Sequence, residues 1–181
     1  MSKSERQTEA LRWLKQAQYD WRLAQYIVDD YPAMSCFNSQ QSVEKALKAA
    51  ILAATISSPP RTHVIRELVA KMEPMGLILE KRIKNLDSYY MMARYPDAIA
   101  GESAPYELYD REEAQEVLAL AKDALVSIRD WMETQQLVSR SDLGKLDSQA
   151  DSLPFNVDGQ REDASGTREN SGSSTQKSDE S

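Results

Sequence analysis

Apolar side chains recur at alternating spacings of four and three along most of the chain, the repeat of one face of an α-helix. Over roughly Gln7 to Asp29, a single stripe is formed by Ala10, Leu14, Ala17, Trp21, Ala24 and Val28. From Ser35 to Ile56 the stripe returns as Cys36, Gln40, Val43, Leu47, Ala50 and Ala54. A third, shorter helix is expected from about Thr62 to Met72, with Thr62 as N-cap and Ile65, Leu68, Val69 and Met72 inward. A fourth covers about Leu77 to Ala93, with Leu79, Ile83, Leu86, Tyr90 and Ala93 on one face. The last starts at Asp110, a good N-cap with Glu113 in the first turn, and turns Ala114, Val117, Ala121, Ala124, Ile128 and Trp131 inward. Pro32, Pro59-Pro60, Pro74, Pro96 and Pro105 fall between these segments, where each would end or delay a helix. No window alternates apolar and polar residues as a strand requires. The fold class predicted is all-α: an up-and-down antiparallel bundle of four to five helices, followed by a disordered C-terminal tail.

Composition places the tail. From Ser139 to the end, 43 residues hold ten Ser, four of the six Gly and seven hydrophobic side chains. That is too little apolar surface to offset the entropy of ordering the chain. The expected division is therefore a helical bundle over residues 1–138 and a disordered acidic Ser/Gly-rich tail over 139–181. Leu143, Leu146, Leu153, Phe155 and Val157 stand in that tail either as a short docking motif or as stray apolar residues.

The chain carries 29 acidic and 22 basic side chains, a formal charge of −7. The tail holds nine acidic against five basic, so the helical part, with 20 against 17, is closer to neutral. This balance argues against a general coat for nucleic acid, and no duplex nucleic acid is expected as a partner. The longest apolar stretch, Ala46 to Ile56, is broken by Lys48 and is too short to span a bilayer. One cysteine, Cys36, allows neither an internal disulfide nor a multi-cysteine metal site. With an N-terminus lacking an apolar segment, these features point to a soluble cytoplasmic protein without membrane association.

Most enzyme constellations are missing. There is one histidine, His63, no Gly-x-Ser-x-Gly elbow, and neither phosphate-cradling glycine motif. The residues before His63 are Pro60, Arg61 and Thr62, so the Glu-x-x-His pair of helical metal sites is absent. Three stretches carry chemistry. In residues 40–50, QQSVEKALKAA, the side chains of Gln41, Glu44, Lys45 and Lys48 share one side of the second helix, as a solvated salt-bridged face or as a basic site. Gln40 falls on the apolar stripe and needs a hydrogen-bond partner if buried. His63 would sit in the first turn of the third helix, where N–H groups attract anions, or serve structure alone. Arg94-Tyr95-Pro96-Asp97 reads equally as a helix stop and as a site: a guanidinium for phosphate, a ring for stacking, a carboxylate for a ribose hydroxyl.

Together with the opening EALRWLKQAQYDWRLA, the stretches QQSVEKALKAA, THVIREL and ARYPD resemble the HEPN domain in order and spacing over roughly Ala10 to Met132. The Tyr-Pro-Asp turn is similar to that of the C-terminal HEPN domain of sacsin and of small stand-alone HEPN proteins. The resemblance implies a helical bundle paired as a homodimer, and either nucleotide binding or partnership with a minimal nucleotidyltransferase. Carried over by position, it implies phosphate contacts from Lys45, Lys48 and Arg94, a base stacked on Tyr95, and His63 and Asp97 in the same nucleotide site. Many HEPN proteins are metal-independent ribonucleases with an Arg separated from a following His by four to six residues. Here that Arg would stand at 56, 57 or 58, and those positions hold Ile56, Ser57 and Ser58.

The leading expectation is thus a non-catalytic binding module. It would hold a nucleotide such as ATP or GTP, or a similar polyanion, between helices 2, 3 and 4, with no other cofactor and no metal. The alternative is a protein-interaction scaffold partnering a nucleotidyltransferase or a chaperone. A ribonuclease toxin, using His63 with Arg94 brought together by the fold, comes third.

Overall fold

A computed structural model of the chain describes residues 2–55 and 58–151. It is an all-α bundle. Helix α1 spans Lys3–Ile27 and opens four residues before the expected start at Gln7, because Ser2 and Glu5 form a capping box. The Ser2 hydroxyl accepts from the Glu5 N–H, and the Glu5 carboxylate accepts from the Ser2 N–H at 2.7 Å. Helix α2 spans Pro32–Ala54. Pro32 does not delay this helix but begins it, since a first-turn residue has no helical partner for an N–H in any case.

Helix α2 is the centre of the molecule and touches α1, the later helices and the turns between them. Fifteen of its 23 residues are buried, which is why its sequence is apolar or small nearly all round. Small side chains are buried all along it: Ser35, Ser39 and Ser42, and Ala33, Ala46, Ala49 and Ala50. The Ser35 hydroxyl donates to the Ala24 carbonyl of α1 at 2.9 Å.

Helix α3 spans Ile65–Met72 and starts later than Thr62. Thr62 does not cap the helix. Its hydroxyl accepts instead from the Val64 N–H at 3.1 Å, while the first N–H groups of α3, those of Ile65 and Arg66, donate to the carboxylate of Asp87, far along the chain. The single fourth helix expected over Leu77 to Ala93 is also revised. Gly76, at φ 84°, ends the turn after α3. The chain then runs extended before a 3-10 stretch, Lys81–Ser88, and only one α-helical turn, α4, at Tyr89–Met92. Ile83 and Leu86 suit either winding, because residues three apart face the same way in a 3-10 helix too.

Helix α5 spans Arg111–Thr134 under an Asp110 cap, whose carboxylate accepts from the Glu113 N–H at 2.8 Å. Helix α6, Arg140–Asp151, lies in the segment expected to be tail. Leu143 and Leu146 are buried in the core, and Asp147 accepts from Gln18 of α1 and Arg129 of α5, both at 2.9 Å. Two leucines and one shared carboxylate are enough to dock a segment whose composition alone is that of a linker. Leu153, Phe155 and Val157 lie outside the described residues.

Candidate functional site

The polar side of α2 is not a solvated face. Glu44 is 3% and Lys48 5% exposed, Gln40 is fully buried, and all three are roofed by the loop leading into α3 and by α1. An unpaired charge is costly at such a depth, so every group here is partnered. Lys48 Nζ donates to Glu44 Oε1 at 2.8 Å and lies 5.8 Å from the centre of the Trp13 ring. Gln40 and Gln41 donate to Glu44 Oε2, each at 3.2 Å. Gln40 also donates to the His63 carbonyl at 3.2 Å and accepts from Gln41 at 2.8 Å, which answers the question raised by an amide on an apolar stripe. Beside this group, Lys45 pairs with Asp20 of α1 at 2.6 Å and donates to Gln41 at 3.0 Å. The two lysines expected at phosphate therefore have their ammonium groups directed at carboxylates of the protein.

His63 sits just before α3 rather than in its first turn. Its Nδ1 is 3.1 Å from Glu44 Oε1 and 3.3 Å from Oε2, so one carboxylate gathers both Lys48 and the histidine. Half of the His63 side chain is open to solvent, and Nε2 has no partner among the described residues. The ring is stacked on Tyr90, with centroids 4.5 Å apart and planes 11° from parallel.

Tyr90 is also where Arg94 rests. The Arg94 guanidinium lies 4.2 Å from the Phe37 ring centre, 4.7 Å from Tyr90 and 4.8 Å from Tyr95. Nε and one Nη donate to the Tyr90 carbonyl at 2.9 and 2.6 Å, satisfying the end of α4, while the other Nη makes no hydrogen bond among the described residues. The helix-stop role expected of this residue is thus seen in its two bonds to the Tyr90 carbonyl. Tyr95 is 43% exposed next to the guanidinium. Asp97 lies exposed in the turn Pro96–Ala98, and no hydrogen bond or ion pair joins it to the group.

The fold thus brings together His63, Glu44, Tyr90, Arg94 and Tyr95. Phe37, against which the Arg94 guanidinium rests, was not singled out by the sequence, and Glu44 was read there only as one member of a solvated or basic helix face; the buried amide Gln40, four residues before Glu44, was the one signal pointing inward. Among the described residues no three His, Cys, Asp or Glu side chains stand where they could hold a metal ion, and no helix is long and apolar enough to cross a membrane.

Residues 10–131 match the HEPN domain model. The chain belongs to the HEPN domain family. Among solved structures it is similar to TT1696 from Thermus thermophilus, at 35% identity and a TM-score of 0.61, covering 67% of this chain and 97% of the other. It is also similar to ST0689, described as an archaeal HEPN homologue, at 32% identity and a TM-score of 0.53, covering 67% and 95%. A relative from Methanocaldococcus jannaschii is named "Putative toxin MJ1304"; it is 32% identical in an alignment of 133 residues that covers 66% of this chain and 86% of the relative.

That relative overturns the expectation that the chain is not an enzyme. The expectation rested on the missing Arg before His63. Here Glu44 of α2 lies against His63 Nδ1, and Arg94, just beyond α4, rests on the same Tyr90 ring that His63 stacks on.

Proposed function

We propose that this HEPN domain is a toxin-type ribonuclease in which His63 transfers the proton and Arg94 meets the phosphate. The observation that carries the reading is the His63–Glu44 pair: a buried carboxylate holds Nδ1 and leaves Nε2 outward on a half-exposed ring. A base oriented in this way by a third group is the arrangement that acid–base catalysis needs. Support also comes from the name of the Methanocaldococcus relative and from the metal-independent ribonucleases of the family.

In the reaction, Nε2 takes the proton of a ribose 2′-hydroxyl, whose oxygen attacks the adjacent phosphorus. The bond from phosphorus to the 5′ oxygen breaks, and that oxygen leaves with a proton from water, whose hydroxide takes the proton held by His63 and restores the neutral ring. The products are a 2′,3′-cyclic phosphate and a 5′-hydroxyl end. Arg94 faces the charge that builds on the phosphoryl oxygens, and the exposed Tyr95 ring offers a face to a base. ATP or GTP would occupy the same place as fragments of the substrate. The finer likeness to the sacsin-type domain, the homodimer and a nucleotidyltransferase partner belong to this reading as well, and light scattering on the full chain reports on the dimer.

The test is incubation of the full-length chain with an RNA oligonucleotide in the presence of EDTA. Cleavage leaving cyclic-phosphate ends is expected, abolished by His63→Ala and reduced by Arg94→Ala. No cleavage by the wild-type chain, or full cleavage by His63→Ala, would overturn the reading.

A further inference from the structure

Lys48 is engaged by the protein's own Glu44, and its surroundings define another task. Its side chain is 7% exposed, and its ammonium lies 5.8 Å from the Trp13 ring centre and meets Glu44 Oε1, the same oxygen that faces His63 Nδ1. The groups facing Glu44 are Lys48, His63, Gln40 and Gln41; of these only Lys48 carries a fixed charge. The amides can donate to either protonation state of the ring's neighbour, so they do not decide where the ring hydrogen lies. The ammonium does.

We infer that Lys48 is a positioning residue that keeps Glu44 a carboxylate and thereby fixes neutral His63 as its Nδ1–H tautomer, with the Nε2 lone pair turned outward. An ionised Glu44 has only acceptors, so Nδ1 must donate to it. With Lys48 removed, a buried negative charge stands among neutral donors. The cheapest remedy is a proton. If the carboxyl takes it, Glu44 becomes a donor to Nδ1 and the ring hydrogen passes to Nε2. If the ring takes it, both nitrogens are blocked. Either way the outward lone pair is lost. The catalytic meaning of this arrangement rests on the ribonuclease reading, but the tautomer itself does not.

His63 is the sole histidine of the chain, so its ring signals in a 15N-labelled sample assign themselves. The experiment is a long-range proton–nitrogen correlation spectrum of the full chain, above the pH at which the ring titrates, for wild type, Lys48→Arg and Lys48→Met. The expected wild-type spectrum shows a protonated Nδ1 and a bare Nε2. Lys48→Arg retains it, and Lys48→Met loses it. In the RNA assay Lys48→Met lowers kcat by about a hundredfold, the cost typical of a misplaced group, with KM little changed, and Lys48→Arg restores most of it. A wild-type ring carrying its hydrogen on Nε2 overturns the inference even if Lys48→Met fails to fold, and so does a folded Lys48→Met with the wild-type spectrum. An inactive wild type with the expected tautomers sinks the ribonuclease reading alone.

Discussion

The His63 ring lies flat against Tyr90, 4.5 Å between centroids, and the same tyrosine carries the Arg94 guanidinium at 4.7 Å. One side chain on the single turn of α4 therefore sets the positions of two groups from different parts of the chain. Replacement of Tyr90 by Phe keeps both ring contacts, since the hydroxyl takes part in neither. Tyr90→Ala removes both. The expected outcome is RNA cleavage close to wild type in Tyr90→Phe and a loss of roughly a hundredfold in Tyr90→Ala, with the folded state retained by circular dichroism. Equal activity in the two variants would mean the stack does not position the site.

The two lysines of α2 differ in depth, and this separates them by stability. Lys48 is nearly sealed beside Glu44, whereas a fifth of the Lys45 side chain reaches solvent beside Asp20. Removing one partner of a buried ion pair costs on the order of 3–5 kcal/mol, because the other charge is left without compensation. Lys48→Ala is expected to approach that range in urea unfolding, and Lys45→Ala to cost less. A reversed order would show that Asp20, not Glu44, is the more poorly solvated carboxylate.

Asp87 supplies a cap that no local pattern announces. Its carboxylate receives the Ile65 and Arg66 N–H groups of α3 and, at 2.9 Å, the Arg66 guanidinium. Loss of a capping side chain costs about 1 kcal/mol and at most about 2. Asp87→Ala should therefore lower stability by that amount and loosen the loop bearing His63, so its RNA cleavage falls more than its melting temperature implies. Asp87→Asn, which still accepts, should recover most of both.

These features show what was legible in the sequence and what was not. Helices α1, α2 and α5 could be read because each is long and keeps one period, so Ala10, Leu14, Val43, Leu47, Val117 and Ile128 were placed inside correctly. The stretch after α3 could not, because Ile83 and Leu86 fit a 3-10 and an α winding alike, and the choice is made by contacts with α3 and α5. His63, Arg94 and Tyr95 were candidates through residue type and family likeness. Glu44 was taken for half of a surface ion pair, since an i,i+4 Glu–Lys spacing is the same whether solvent or another helix lies above it. Only Gln40, an amide on an apolar stripe, hinted that α2 is covered on its polar side too. Helix α6 was missed because its composition is that of a tail and its stability comes from docking.

That docking is open to a direct test. Leu143 and Leu146 are each less than a tenth exposed, and Asp147 is held below the usual carboxylate range chiefly by its hydrogen bond from Arg129. Leu143→Ala should cost about 2 kcal/mol, the low end for a core leucine, because the seat lies at the edge of the bundle. The protease-resistant fragment of that variant should then end before α6. Wild type should keep α6.

Cys36 ties the core to pH. Burial pushes its thiol from 9.0 up to about 12 and keeps it protonated, with the negative charge of Glu113 adding to the effect. The folded chain thus holds this proton more tightly than the unfolded one. The corresponding stability is full below about pH 9 and is lost as pH rises from there towards 12. Because the thiolate is the reactive form, a thiol reagent at pH 8 should label the native chain only as fast as it opens. Labelling should accelerate in step with unfolding as urea is added. Rapid labelling of the native chain without denaturant would place Cys36 at the surface. That result would also contradict the close packing of α2 against its neighbours, on which Glu44, Lys48 and the setting of His63 all depend.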